Sequence, residues 1–191
     1  VAPKSRGVCF ATFAGDLAPA LLTLNADVDI AGPAGKRTIP LSALYIGFAR
    51  QDMPVTETQG DGKYYLSLRR GEIVTAVRAK NTPGLRSAYD KIRIRKSIEY
   101  PVAGVAVALK REKDKLTDLR VAFTGTNPRP VLLQGTPELC GGALDERVTK
   151  GLDALVRDQI MPMKTTFTPG HYRRRVAGVL ARRLVTRLFT D

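Results

Sequence analysis

Apolar and polar positions divide the chain into two stretches with different periodicities. After Asp16, the residues Leu17, Leu21 and Leu24 recur on one side of a helical wheel. Asp16 stands where an N-cap belongs and Pro19 lies in the permissive first turn, so a helix of about nine residues is predicted there. Residues 26–30 then alternate, with Ala26, Val28 and Ile30 apolar against Asp27 and Asp29, as a half-buried strand does. Gly32, Pro33 and Gly35 turn the chain, and residues 37–41 return as the second arm of a hairpin. A polar, glycine-bearing loop over residues 57–63 leads to an apolar strand over residues 72–77.

The turn signal Asn81-Thr82-Pro83-Gly84 marks the expected boundary, dividing the chain into residues 1–82 and 83–191. Beyond it residues 87–95 alternate, with Lys91, Arg93 and Arg95 on one face and Ile92 and Ile94 on the other. Residues 102–109 and 119–123 read as two further strands joined by a charged turn over residues 110–115, which favours an antiparallel meander. Helices close the chain. Leu144, Val148, Leu152, Leu155 and Ile160 recur at helical spacing around a candidate cap at Asp145. Thr168-Pro169 reads as cap and first turn for a stripe of Tyr172, Val176, Leu180, Leu184 and Leu188. Strands followed by helices, without βαβ alternation, predict an α+β fold. Its second half is expected to be a three-stranded antiparallel sheet with helices packed on one face.

Composition sets the bounds. The 191 residues, 43% of them hydrophobic, suffice for one ample core or two small ones. No apolar run is long enough to span a bilayer. The first residues, Val1-Ala2-Pro3-Lys4-Ser5-Arg6, include neither an initiator Met nor an apolar signal region, which leads us to expect a processed or truncated chain in the cytoplasm. Cys9 and Cys140 are far apart, too few for a cysteine metal site, and form no CxxC pair. Reduced thiols are the expectation. His171 is the only histidine, and it reads as a helix-start residue rather than a base, having no nucleophile or carboxylate partner near in sequence.

Thirty-one Lys and Arg against eighteen Asp and Glu give a formal charge of +13. That excess suits nucleic acid, an anionic membrane or an acidic protein partner. The C-terminal arginines Arg173, Arg174, Arg175, Arg182, Arg183 and Arg187 flank an apolar stripe, as solvated arginines do on an amphipathic helix. No nucleic-acid motif or aromatic stacking platform accompanies them, so nucleic acid is not the expected partner. A cofactor-free basic module for RNA or an acidic protein is the alternative reading.

Three stretches together resemble the flavin (medium) subunit family of xanthine dehydrogenase and carbon monoxide dehydrogenase. The first runs over residues 9–22 and includes Cys9, Thr12, Gly15 and Asp16; the hairpin and Gly71-Glu72-Ile73-Val74 follow it. The second is Tyr89-Asp90-Lys91-Ile92-Arg93-Ile94-Arg95 with Tyr100-Pro101-Val102-Ala103-Gly104. The third covers residues 172–183, from Tyr172 through the run Arg173-Arg174-Arg175 to Arg183. Residues 124–133 look closest to the 4-hydroxybenzoyl-CoA reductase β-subunit branch.

The resemblance implies a partial FAD-binding subdomain followed by a CO dehydrogenase flavoprotein-type C-terminal domain. It implies an electron-transfer subunit of a molybdenum-hydroxylase-type oxidoreductase, with 2Fe–2S and molybdopterin on partner subunits and no catalytic residue of its own in this chain. Family members carry a Gly-rich phosphate cradle upstream of the part matched here, so only part of the flavin site is expected in this sequence. The implied cofactor-binding residues are Thr12, Gly15, Asp16, Ile73, Val74 and Lys91. Asp16 would accept hydrogen bonds from cofactor hydroxyls, a role compatible with capping. Gly15 would admit the cofactor or simply make a turn. Ile73 and Val74 would pack beside the isoalloxazine ring or in the strand core. Lys91 would stand near the redox edge or belong to a solvated basic face. In the narrower branch Cys9 would be the last ligand of a 4Fe–4S loop, which needs four cysteines; the competing reading is a buried thiol.

Overall fold

The computed structural model describes residues 9, 11–46, 62, 65–95, 97–163 and 168–191. Apart from Gly62, the loop expected over residues 57–63 lies outside them. Helix α1 (Leu17–Thr23) leads into strands β1 (Asp27–Gly32) and β2 (Gly35–Pro40), then a single turn α2 (Leu41–Leu44) and strand β3 (Ile73–Arg78). These strands form an antiparallel sheet in the order β2-β1-β3. The alternation in β1 is realised: Val28 and Ile30 are buried, while Asp29 accepts hydrogen bonds from Thr38 on one neighbour and Arg78 on the other. The hairpin closes through Pro33 and Ala34, and Gly35 takes φ +110°, a conformation a side chain disfavours.

β3 carries one extra residue against β1, between the pairs Asp29/Ala76 and Ile30/Val74. This bulge at Thr75 places Val74 opposite Ile30 and Val77 opposite Val28, so both valines reach the same side of the sheet despite their odd spacing.

The second unit is a sheet of β4 (Arg86–Ile92), β5 (Ala103–Glu112), β6 (Lys115–Thr124) and β7 (Val131–Leu132), antiparallel and in sequence order. It has four strands rather than the expected three. The fourth pairs only Leu132 with Ala122 and Val131 with Phe123, too short for periodicity to reveal it. The expected charged turn over residues 110–115 is also shorter. Strand pairing continues to Glu112–Lys115, and Lys113 absorbs the reversal at φ +53°.

β5 is buried along most of its length because both faces are covered. Val105, Val107 and Leu109 join a core with helices α3 (Glu146–Gln159) and α4 (Gly170–Thr190). On the other face Ala122 of β6 packs in the core of the first unit with Leu22 of α1. Asp145 caps α3, accepting from the Val148 amide at 3.0 Å. Thr168 does not cap α4: the helix starts at Gly170, and the residue at the cap position, Pro169, has no side-chain oxygen to offer. The buried stripe of α4 also departs from expectation. Ala177 and Ala181 lie fully inside beside Leu180, Leu184, Val185 and Leu188, letting the helix approach the sheet closely, while Tyr172 is largely exposed. Arg86 donates to the Leu188 carbonyl at 3.0 Å and Arg111 to that of Phe189, satisfying carbonyls that α4 leaves open at its end.

Candidate functional site at the junction of the two units

The segment before α1 is pinned to the second unit by its backbone. The Phe13 amide donates to the Asn127 carbonyl at 3.0 Å, and the Gly125 amide donates to the Phe13 carbonyl at 2.8 Å. This fixes where Gly15 and Asp16 emerge. Phe13 folds back over Gly15, so that a β-carbon there would lie 2.9 Å from its ring. The same ring meets Tyr45 edge-on at 5.5 Å and Tyr65 at 6.1 Å. Gly15 thus gives room to a phenyl ring.

Beside this aromatic cluster opens an apolar cleft of about 460 Å³. Leu17, Leu44, Val74 and Val77 line its walls, with Gly15 and Asp16 at its edge. Leu17 is 69% exposed, although it begins the apolar side of α1. A second pocket of about 560 Å³ lies on the other side of Asp16 and is bounded by Lys91, Arg95, Glu99 and Tyr100. Among the described residues, Asp16 is the one common to the two.

Asp16 does not cap α1. Its backbone is already helical, at φ −78° and ψ −34°, and its carboxylate makes no bond to the helix amides. The side chain reaches across to β4 instead, where Tyr89 donates to Oδ1 at 2.7 Å and Lys91 Nζ donates to Oδ2 at 2.5 Å. Lys91 also donates to the Glu99 carbonyl at 3.1 Å. The Asp16 side chain remains 45% exposed, so it can accept further hydrogen bonds. Burial, and then the Asp16 carboxylate, push the Tyr89 phenol well above its ordinary range, which keeps it a hydrogen-bond donor.

Four of the six implied cofactor residues, Gly15, Asp16, Val74 and Lys91, therefore gather around the junction. Ile73 lies outside the cleft lining and is 63% exposed. Thr12 lies outside it too, but its hydroxyl oxygen is buried without a hydrogen-bond partner. Sequence reasoning missed Phe13, Tyr45, Tyr65 and Tyr89. Only Tyr89 left a usable signal, two residues before Lys91 and so on the same strand face.

The basic face expected from Lys91, Arg93 and Arg95 does not form as a strand face. β4 ends at Ile92, and Arg93 and Arg95 bond locally to Ser97 and Glu99. Several C-terminal arginines have internal partners. Arg173 donates to the Val102 and Gly125 carbonyls, Arg174 to the Arg157 carbonyl, and Arg182 pairs with Asp153. Among the described residues, no group of three His, Cys, Asp or Glu side chains could hold a metal ion, and no helix is long and apolar enough to cross a membrane.

The two α+β units thus meet at an acidic residue that lies between an apolar cleft and a pocket bounded by Lys91, Arg95 and Glu99. Residues 87–188, more than half of the chain, match the CO dehydrogenase flavoprotein C-terminal domain, and residues 7–79 match the FAD binding domain in molybdopterin dehydrogenase. The chain belongs to this CO dehydrogenase flavoprotein family. It is 29% identical over 176 residues to the carbon monoxide dehydrogenase medium chain of Afipia carboxidovorans, covering 91% of this chain and 56% of that one. It is 24% identical over 168 residues to the glyceraldehyde dehydrogenase medium chain of Sulfolobus acidocaldarius, covering 87% and 54%. In structure it resembles reconstituted CO dehydrogenase from Oligotropha carboxidovorans, with a TM-score of 0.77 and 26% identity over 92% of this chain and 56% of that one. The chain thus spans little more than half the length of these relatives. None of the three singles out the 4-hydroxybenzoyl-CoA reductase branch.

Proposed function

We propose that these residues form one side of an FAD site in the electron-transfer flavoprotein subunit of a molybdenum-hydroxylase-type oxidoreductase. The observation that carries this reading is the Asp16 carboxylate, aimed by β4 into the rim between an apolar cleft and the pocket bounded by Lys91 and Arg95. The chemistry of this surface fits the cofactor. An apolar wall suits a flat ring, and a half-exposed carboxylate suits ribityl or ribose hydroxyls.

FAD, when bound, would supply the electron-transfer chemistry, while the polypeptide supplies binding, orientation and electrostatics. Asp16 would accept hydrogen bonds from the cofactor, and Val74 would pack on its apolar face. Lys91 would bring positive charge near the redox edge. Gly15 and Thr12 would shape the approach to the cleft, and Ile73 contributes as the strand neighbour of Val74. The remainder of the site, including a phosphate cradle, would come from outside these residues.

The partners in this reading are an iron–sulfur small subunit carrying 2Fe–2S and a large subunit carrying molybdopterin. Its compartment is the cytoplasm, in keeping with Cys9 and Cys140, neither of which is in a disulfide. The chain divides between residues 82 and 83, which is supported by two sheets that share no strand and by family matches that stop at 79 and resume at 87. No observation favours the cofactor-free basic module.

The test is an FAD titration of the full-length protein carrying these residues, parent against Asp16→Ala, read by quenching of flavin fluorescence. Losing a cofactor hydrogen bond should weaken binding by about 0.5–3 kcal/mol, depending on the charge of the group that donates to the carboxylate. Equal affinity in the two proteins contradicts the reading.

A further inference from the structure

Tyr89 is the least expected member of the junction. It lies on β4, beyond the boundary between the two units, yet its hydroxyl ends 2.7 Å from Oδ1 of Asp16 in the first unit. Its neighbour in the sheet register is Ala106, and the next same-face pair along the strands is Lys91 with Gly104. The Tyr89 ring leans diagonally over Gly104, the kind of reach a long aromatic side chain makes between adjacent strands. A β-carbon on Gly104 would stand 2.4 Å from the Tyr89 hydroxyl oxygen, 3.1 Å from its ring carbon Cζ and 2.7 Å from the Thr124 Cγ2. No van der Waals contact is that short. Gly104 carries no positive φ, so turn geometry does not call for glycine here. The space above it does.

Asp16, for its part, is not held by its own helix, since its carboxylate makes no cap bond. Both of its side-chain contacts come from β4, and they divide the work. Lys91 is charged and also bonds the Glu99 carbonyl, so it compensates the carboxylate and ties it to the second pocket. Tyr89 is neutral and half-buried, and it fixes the second oxygen without competing for charge.

We propose that Tyr89 is a positioning residue of the cofactor site, setting the direction of the Asp16 carboxylate, and that Gly104 is the vacancy in β5 that lets it do so. The inference rests on the FAD reading above. It adds that the second unit determines cofactor affinity through a residue that need not touch the cofactor. A carboxylate left free to rotate must be ordered when the cofactor binds, whereas one already held spends less entropy on ordering.

The experiment is a double-mutant cycle in the full-length protein. FAD affinity is measured by fluorescence quenching for the parent, Tyr89→Phe, Asp16→Asn and the double variant, with thermal unfolding of each apo protein alongside. Tyr89→Phe keeps the ring over Gly104 and removes one hydroxyl. It should weaken FAD binding about three- to tenfold in the parent, as the loss of one hydrogen bond does, and change nothing further in the Asp16→Asn background. Gly104→Ala should reproduce the loss, and the cycle stands on Tyr89→Phe alone where the Gly104 variant fails to fold. Parent-like affinity in Tyr89→Phe with a lowered melting temperature makes Tyr89 merely structural and overturns the proposal. Effects that multiply in the double variant overturn it too, since Tyr89 would then act without Asp16. A parent that binds no FAD sinks the underlying reading, and this inference with it.

Discussion

Lys91 Nζ lies 2.5 Å from Asp16 Oδ2, so a lysine of the C-terminal sheet neutralises a carboxylate that precedes the first helix of the other unit. The pair is 75 positions apart in sequence and joins the start of α1 to β4 of the second sheet. Its geometry therefore reports how the two units meet.

Ion pairs this accessible contribute little to stability, because water screens them and two side chains must be ordered. Lys91→Met should accordingly lower the unfolding free energy by no more than about 1 kcal/mol, measured by urea denaturation. A much larger loss would mean that the junction depends on the pair for its cohesion.

The Arg37–Glu72 pair links β2 to the approach of β3. Arg37 donates from Nε and Nη2 to the two Glu72 oxygens at 2.9 and 2.7 Å. The Arg37 guanidinium, and then the Arg69 amide, hold the Glu72 carboxyl down from its ordinary 4.5 to about 2. A carboxyl depressed by folding stabilises the native state fully above its unfolded value and loses that contribution as pH falls through the folded one. The window for this pair is thus pH 4.5 down to about 2. Arg37→Met should shift acid unfolding, followed by circular dichroism, to higher pH while leaving stability at pH 7 and above less favourable by the same lost contact.

Tyr89 gives the opposite sign. Burial and Asp16 raise its phenol above the ordinary value of 10, so its contribution is complete below pH 10 and fades as pH rises further. Phenolate absorbance in an alkaline titration should show Tyr89 ionising late, beside Tyr45, whose phenol burial also raises, and the Tyr89 contribution should vanish in Tyr89→Phe. Asp16→Asn should bring it earlier without restoring the ordinary value, because burial is the larger cause.

Much of this architecture was legible in the sequence, and the gaps follow from physics. The alternation of Val28 and Ile30 and the cap at Asp145 were visible because a local rule decides each of them. β7 was not, since a two-residue strand has no period and exists only because Val131 and Leu132 pair with β6. Asp16 was read as a cofactor residue with a compatible role as helix cap, and the cap is the part the structure removes. Local sequence puts a carboxylate at a helix start, but Tyr89 and Lys91, brought there by the fold, outcompete the helix amides for it. Lys91 came with two arginines that the strand's end at Ile92 removed from its face. The aromatic cluster of Phe13, Tyr45 and Tyr65 gave no periodic signal, because its members come from loops and element ends.

The two helix-start aspartates make a direct contrast. Asp145→Ala removes a real cap and should cost about 0.5–2 kcal/mol of stability. Asp16→Ala removes no cap but loses the Lys91 pair and the Tyr89 hydrogen bond, so its effect should fall on cofactor binding, with a stability loss that depends on Tyr89 and Lys91. Thermal or urea unfolding of the two variants side by side tests this. An Asp16→Ala loss that persists undiminished in a Tyr89→Phe, Lys91→Met background would restore the capping role to Asp16.

The central claim, that these residues belong to an FAD site, is tested most directly by the flavin content of the full-length protein. After FAD is added and excess removed by gel filtration, the absorbance spectrum should show about one flavin per chain for the parent and clearly less for Asp16→Ala. A colourless parent that instead stays on immobilised RNA, and leaves it as salt rises, would contradict the account.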